Sequence, residues 1–326
     1  LKPVGIVGTG SYVPEKVLTN ADMEKMVDTS DEWIRTRTGI RERHIADEKT
    51  ATSDLALKAA EIALKEANLK GEDVELIIVA TITPDMFFPS TACVVQNKIG
   101  ADGHAAFDVS AACSGFVYGL AVASQFLSSG MFNNALVIGA ETLSKFTDWE
   151  DRNTCVLLAD GAGAVVLKRV TTGEGLLSFS LGADGSLGHL LHMPGGGSRN
   201  PASYETVNEK MHYIKMRGNE LFKMAVRILV EAALEALKKA NKSTEDVSLF
   251  IPHQANIRII DATAKRLGIS EDRVHANIDR FGNTSAASIP IALDEAKRMN
   301  KLQKGDIVVL DAFGGGLTWG ACVLEW

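Results

Sequence analysis

Ala63-Leu64-Lys65-Glu66-Ala67-Asn68, followed by Glu72-Asp73-Val74-Glu75-Leu76-Ile77-Ile78, recurs as Ala236-Leu237-Lys238-Lys239-Ala240-Asn241, followed by Glu245-Asp246-Val247-Ser248-Leu249-Phe250-Ile251. The offset is about 173 residues in both pieces, which is the signature of duplicated structural units. Each copy reads as helix, turn and buried strand. Beyond it, Ile99-Gly100 pairs with Leu267-Gly268, and the apolar run Ala135-Leu136-Val137-Ile138-Gly139 pairs with Asp306-Ile307-Val308-Val309-Leu310. The chain divides on this reading into an N-terminal half, 1–172, and a C-terminal half, 173–326. Strands alternating with helices of this length predict an α/β fold of mainly parallel sheets, two duplicated halves stacking as α/β/α/β/α layers.

In the first half, Phe107-Asp108-Val109-Ser110-Ala111-Ala112-Cys113-Ser114-Gly115-Phe116 places a small-flanked cysteine between a strand end and a helical pattern carried by Val117, Leu120, Ala121, Ser124 and Leu127. Unpaired N–H groups and the helix dipole favour a thiolate at such a position. The competing reading is that Cys113 is a small buried core residue. In the second half, the corresponding junction is Arg280-Phe281-Gly282-Asn283-Thr284-Ser285-Ala286-Ala287-Ser288, with Asn283 its polar residue. The strand ending Ala80-Thr81-Ile82-Thr83-Pro84 corresponds to one ending Ile251-Pro252-His253-Gln254-Ala255-Asn256. Pseudo-twofold packing would bring Cys113, His253 and Asn283 together at neighbouring strand ends, as nucleophile, base or donor, and second donor. Singly, His253 also reads as a structural histidine and Asn283 as a helix cap.

Composition narrows the function. The chain has 326 residues, 46% of them hydrophobic and 23% charged, and a formal charge of -7, which argues against general nucleic-acid binding. Cys93, Cys113, Cys155 and Cys322 lie far apart with no CxxC pair, so neither a zinc site nor a disulfide framework is expected, and a reducing cytoplasmic compartment is. No apolar run is long enough to span a bilayer, and the opening Val4-Gly5-Ile6-Val7-Gly8 lacks the features of a signal peptide. Gly5-Ile6-Val7-Gly8-Thr9-Gly10 lacks a third glycine and a following helix, so it reads as a strand and a tight turn rather than a dinucleotide loop. From Thr29 to His44 a short helix led by Ser30 and Asp31 and stopped at Gly39 sets Trp33 among Arg35, Arg37, Arg41 and Arg43. That combination suits either a nucleotide-bearing ligand or a solvated charged face.

The three junction motifs, Ala111-Ala112-Cys113-Ser114-Gly115, Pro252-His253-Gln254-Ala255-Asn256 and Gly282-Asn283-Thr284-Ser285-Ala286-Ala287-Ser288, resemble those of the β-ketoacyl-acyl-carrier-protein synthase III family. Supporting stretches are Gly8-Thr9-Gly10-Ser11-Tyr12, Asp31-Glu32-Trp33-Ile34, Arg37-Thr38-Gly39-Ile40, Asp160-Gly161-Ala162-Gly163-Ala164 and Ala312-Phe313-Gly314-Gly315-Gly316. One departure is Ala159, where a glycine commonly precedes the aspartate. The resemblance implies the thiolase fold and the initiating condensation of bacterial type II fatty acid synthesis. Cys113 would take an acyl group from acyl-CoA, with acetyl-CoA the expected primer. His253 and Asn283 would stabilise the enolate formed by decarboxylation of malonyl-acyl carrier protein, and the N–H groups of Cys113 and Gly315 would form an oxyanion hole.

It further places Trp33, Arg37 and Arg152 at the CoA mouth, with adenine between Trp33 and Arg152, and Asn256 on the tunnel wall. Lys223, Arg258, Lys265 and Arg266 would dock the acidic carrier protein. Phe88 would reach across a homodimer into the partner's acyl pocket. No cofactor is implied beyond the CoA thioester substrate. The nearest alternative is a type III polyketide-like enzyme using free CoA thioesters. A cysteine hydrolase and a noncatalytic binding homologue are the more distant ones.

Overall fold

The computed structural model describes residues 2–171 and 174–326. Up to Arg169 the chain runs β1 (Val4–Tyr12), β2 (Val17–Thr19), α1 (Asn20–Met23), α2 (Asp31–Thr38), β3 (Glu42–His44), α3 (Thr52–Glu66), β4 (Leu76–Ala80), α4 (Thr91–Ile99), β5 (Ala105–Val109), α5 (Gly115–Ser129), β6 (Asn134–Thr142), α6 (Arg152–Cys155) and β7 (Asp160–Arg169). From Gly175 it runs β8 (Gly175–Ala183), β9 (Leu191–His192), α7 (Tyr204–Asn208), β10 (Lys215–Met216), α8 (Gly218–Lys239), β11 (Val247–Pro252), α9 (Ile257–Leu267), α10 (Ile278–Phe281), α11 (Ser288–Arg298), β12 (Ile307–Gly314) and β13 (Thr318–Glu325). The junction expected at residues 172–173 lies outside the described residues.

Side-chain chemistry sets the helix ends. Ser30 accepts a hydrogen bond from Trp33 N to start α2, and Gly39 closes it at φ 84°, a left-handed conformation that costs glycine little. The same pattern brackets α4 with Ser90 and Gly100, and α9 with Asn256 and Gly268. Left-handed residues also match across the repeat: Asn68 and Asn241 at φ 52° and 54°, Ala112 and Ser285 at φ 45° and 48°.

Two sheets correspond over four strands, one ordered β1-β7-β6-β4-β5 and the other β8-β13-β12-β11. In the second sheet the place of β5 is taken by a single bridge between Phe250 and Val274. The sheets are mixed, which corrects the expectation of mainly parallel ones. β4 pairs in parallel with β5 and β6, and β11 with β12, but β6–β7, β7–β1, β12–β13 and β13–β8 are antiparallel. The cause is plain at β12–β13, where the short loop through Gly315 and Gly316 can turn a hairpin but cannot make the crossover a parallel pair needs.

The layers follow from which face of each strand is apolar. Ile78 and Val137 of one sheet and Ile251 and Leu310 of the other share a central core with Phe116 and Leu120 of α5 and Ile289 and Leu293 of α11. Ile77, Val79 and Ile138 face outward under α3 and α4, and Phe250, Val309 and Val323 under α8 and α9. Each such buried aliphatic side chain contributes roughly 1.5–3 kcal/mol. The turn expected around Gly8–Gly10 is absent, because β1 continues to Tyr12 along β7. Those glycines serve packing instead, since a Cβ at Gly8 would lie 2.4 Å from Ala63 O and one at Gly10 2.4 Å from Ala59 O, both on α3. No described helix is long and apolar enough to cross a membrane.

Candidate active site

Cys113 sits in a 3₁₀ turn, Ala112–Ser114, between β5 and α5. Ala112 before it is left-handed, a strained conformation for an alanine, and the surroundings hold it there. Ser114 Oγ reaches Ala111 O at 2.7 Å and Thr318 Oγ1 at 2.8 Å, and Thr318 Oγ1 reaches Ala111 O at 2.9 Å. These bonds tie the turn to the start of β13. Gly314, at the end of β12, closes in from the other side. A Cβ there would lie 2.6 Å from Cys113 N, so no larger residue fits. Cys113 as a residue is 8% exposed, and burial pushes its pKa from 9.0 up to about 11, with the Glu141 carboxylate adding to the rise. Burial thus outweighs the pull of the helix terminus toward thiolate, and a thiol with a pKa of about 11 carries its proton at neutral pH.

Cys113 and Asn283 line one cavity of about 330 Å³, walled mostly by apolar groups such as Leu143, Phe146, Ile214 and Met216. Asn283 is fixed by its backbone, with its N–H bonded to Leu157 O and its carbonyl accepting from Ala159 N, both at 2.9 Å. Its side-chain Oδ1 accepts from Ser285 N at 2.9 Å, which leaves the amide N–H groups as what it can offer a ligand. Gly315 lies on the same wall. His253 follows β11 directly, and its N–H is bonded to Asp311 O at 2.7 Å. Its ring is buried, Nδ1 has no partner, and burial pushes its pKa down to about 3, so the imidazole is neutral at any working pH. It is not among the cavity-lining residues, and no hydrogen bond joins it to Cys113 or Asn283. The Cys113 turn packs on the Ser285–Ala287 turn and on β12, the strand beside β11, while Asn283 follows the short helix α10 rather than a strand.

Comparison with known proteins bears on this arrangement. Residues 107–185 match the family model for 3-oxoacyl-[acyl-carrier-protein] synthase III, and residues 237–326 match its C-terminal model. A β-ketoacyl-[acyl-carrier-protein] synthase III from Caldanaerobacter subterraneus subsp. tengcongensis is 60% identical over 322 residues, spanning 99% of this chain and 97% of the relative. One from Desulfitobacterium hafniense (strain Y51) is 60% identical over 323 residues, 99% and 98% of the two.

The chain belongs to the β-ketoacyl-[acyl-carrier-protein] synthase III family.

The crystal structure of the Aquifex aeolicus VF5 3-oxoacyl-[acyl-carrier-protein] synthase III superposes with a TM-score of 0.93 at 54% identity, covering 99% of this chain and 100% of that one. Like its family, this synthase III is a condensing acyltransferase with the thiolase fold.

The residues expected to meet CoA in a synthase III lie together on the surface, but not as expected. Arg152 stacks on the Trp33 ring at 5.0 Å and Arg37 lies 5.6 Å from it. A base cannot enter between Trp33 and Arg152 at that spacing, so adenine binding there requires Arg152 to leave its bond to Asp28 O. Asn256 is outside the cavity lining and already committed, capping α9 through Arg258 N and donating to Arg37 O at 2.9 Å. The residues expected to dock the carrier protein, Lys223, Arg258, Lys265 and Arg266, are all exposed on the packed pair α8 and α9, and Arg258 stacks over Phe222 at 5.3 Å. Phe87 and Phe88 are 82% and 85% exposed.

Two residues at the heart of the site escaped sequence reasoning. Glu141, next to last in β6, is fully buried, and Ser285 lines the cavity. The available signals were an acid near the end of a largely apolar strand and a serine at the repeat position of left-handed Ala112. Among the described residues no group of His, Cys, Asp and Glu is placed to hold a metal ion.

Proposed function

We propose that this synthase III condenses a short acyl-CoA, acetyl-CoA first among them, with malonyl-acyl carrier protein, giving 3-ketoacyl-acyl carrier protein, CoA and CO2. The observation that carries the reading is the placement of Cys113 and the free Asn283 amide donors on one apolar cavity, with a neutral His253 at the adjoining strand end. The Cys113 sulfur would attack the acyl-CoA carbonyl, expelling CoA and leaving a thioester. The N–H groups of Cys113 and Gly315 would receive the oxyanion, and Gly314 permits that approach because it has no side chain.

In the second stage, loss of CO2 from the malonyl thioester leaves an enolate. Asn283 and His253 would donate hydrogen bonds to its oxygen. A neutral imidazole suits that task, since it donates without placing an unpaired cation in an apolar site. The enolate carbon then attacks the Cys113 thioester and expels the sulfur as thiolate, which a proton from solvent returns to the thiol. We assign Trp33, Arg37, Arg152 and Asn256 to the CoA mouth, with Arg152 swinging off Trp33 on binding. The basic α8–α9 surface is assigned to the acidic carrier protein, which reconciles binding with the chain's net charge of -7.

We also assign a homodimer and a cytoplasmic setting. The exposed Phe87 and Phe88 and the unpaired outer edge of β5 support the dimer, with Phe88 as the residue entering the partner's pocket. Four unpaired cysteines support a reducing compartment. The halves 1–172 and 173–326 would contribute the nucleophile and the two donors respectively. The reaction as written needs no metal or redox cofactor, so exhaustive chelation leaves the rate unchanged.

The test is radiolabelled acetyl-CoA with malonyl-acyl carrier protein. Wild type forms labelled 3-ketoacyl-carrier product, and Cys113→Ala forms none. His253→Ala and Asn283→Ala still load Cys113 but condense roughly 10²–10³-fold more slowly. Variants that load and condense normally would contradict these assignments.

A further inference from the structure

Glu141 is an ionisable group buried beside the nucleophile with no role in the reaction outlined above. It lies on the central face of β6, the same face as Gly139, whose Cα packs so closely on the Ser285–Ala287 turn that a Cβ would sit 2.2 Å from Ala286 O. Its carboxylate accepts from Thr83 Oγ1 at 2.6 Å, Thr81 Oγ1 at 3.1 Å and Ile82 N at 3.1 Å. Ser285 Oγ is close enough to both Glu141 and Cys113 to lower the pKa of each, yet it is buried without completing a hydrogen bond to either. The turn that carries this unpartnered hydroxyl packs on both β6 and the Cys113 turn, and Ser285 lines the cavity with Cys113, so a small rotation of its side chain would complete a path for a proton.

We infer that Glu141 accepts the Cys113 proton through Ser285 during acyl loading. The thiol gives its proton to Ser285 Oγ as that hydroxyl gives its own to Glu141. The sulfur bonds to the acyl carbon, the bond from that carbon to the CoA sulfur breaks, and the departing CoA thiolate takes the proton back from Glu141 through Ser285, which restores the carboxylate. Glu141 touches neither substrate, so it is a positioning and proton-holding residue. The inference rests on the condensing reading above.

Two physical arguments favour this acceptor over His253. Passing the proton to a carboxylate moves one negative charge from Glu141 to sulfur, whereas passing it to imidazole creates two separated charges in an apolar site. The acid strengths agree, since burial raises Glu141 to about 7 and leaves His253 near 3, against about 11 for the thiol. The other ionisable groups around β6 are engaged elsewhere. Asp160 on β7 binds Ala46 N and Ser144, Tyr118 on α5 binds Gly182 O, and Asp294 on α11 binds Thr9, Ser11 and Arg298. Also on α11, Glu295 pairs with Arg280 and His275, and Lys297 with Glu66, while the α3 charges lie across the sheet from Glu141.

The test is the single-turnover rate of Cys113 acylation by acetyl-CoA, followed by intact mass from pH 5.5 to 9, for wild type, Glu141→Gln and Ser285→Ala. The serine variant is sterically compatible, because Ala112 holds an alanine at the equivalent left-handed position. Wild type is expected to accelerate through an inflection near pH 7. Both variants should load at least tenfold more slowly at pH 7.5 and lose that inflection, while chemically pre-acylated enzyme condenses at the wild-type rate. Folded Glu141→Gln, or Ser285→Ala should the former not fold, with the wild-type rate and profile would overturn the relay alone. Wild type that takes no acyl group would overturn the condensing reading and the relay with it.

Discussion

At Cys113 the helix N-terminus and burial pull in opposite directions. A helix terminus typically offers 0.3–1 kcal/mol to an anion, less than one pKa unit, whereas burial moves this thiol from 9.0 to about 11. Burial wins, so the sulfur needs an acceptor for its proton at the moment of attack. Glu141 has a linked consequence for stability. Its folded pKa of about 7 lies above the usual 4.5, so the folded protein holds a proton that the unfolded chain releases. Its contribution is complete below about pH 4.5 and is lost as pH rises through 7, by about 3 kcal/mol in all. Glu141→Gln is therefore expected to raise the melting temperature at pH 8.5 more than at pH 5, which differential scanning calorimetry checks. His253 gives the opposite kind of signature. Titrating near 3, it leaves no histidine inflection between pH 5 and 8 in the condensation rate of pre-acylated enzyme. Cys113 and His253 were readable as candidates because each follows a strand of the visible repeat, whereas Asn283 follows the short helix α10 rather than the strand its repeat position suggested. Glu141 and Ser285 were not, because a lone acid and a serine among small residues acquire meaning only from contacts between distant segments.

Among the elements, α3 and α9 carry the sharpest expectations. β1 meets α3 backbone to backbone at Gly10, where a Cβ would lie 2.4 Å from Ala59 O and 2.6 Å from Ala63 N. Neither neighbour can swing aside. Gly10→Ala is expected to cost about 1–3 kcal/mol, read as a lower urea midpoint at unchanged slope. On α9, Ile260, Ala264 and Leu267 are buried while Lys265 and Arg266 face solvent. Lys265→Glu with Arg266→Glu is expected to raise the KM for malonyl-acyl carrier protein several-fold and weaken its salt dependence, with acyl-CoA loading unchanged. The start and stop of α2 were readable from Ser30 and Gly39. The run of β1 through Gly8 and Gly10 was not, since glycines chosen for close helix packing look the same in sequence as glycines chosen for a turn.

At the scale of the whole molecule, the repeat disclosed two sheets and five layers, because a constant offset survives wherever paired elements survive. Strand direction was hidden, since it depends on loop length and on which edge a returning strand joins. The exposed Phe87 and Phe88 beside the edge strand β5 lead to an association claim. Phe88→Asp is expected to shift the sedimentation-equilibrium mass from dimer toward monomer. The central claim concerns what Cys113 carries. Intact-protein mass spectrometry with peptide mapping, after incubation with short acyl-CoAs and then malonyl-acyl carrier protein, tests it most directly. The account predicts an acyl adduct on Cys113 that malonyl-acyl carrier protein discharges into 3-ketoacyl-carrier product. An adduct discharged by water alone, or only by malonyl-CoA, or no adduct on folded protein, would contradict it.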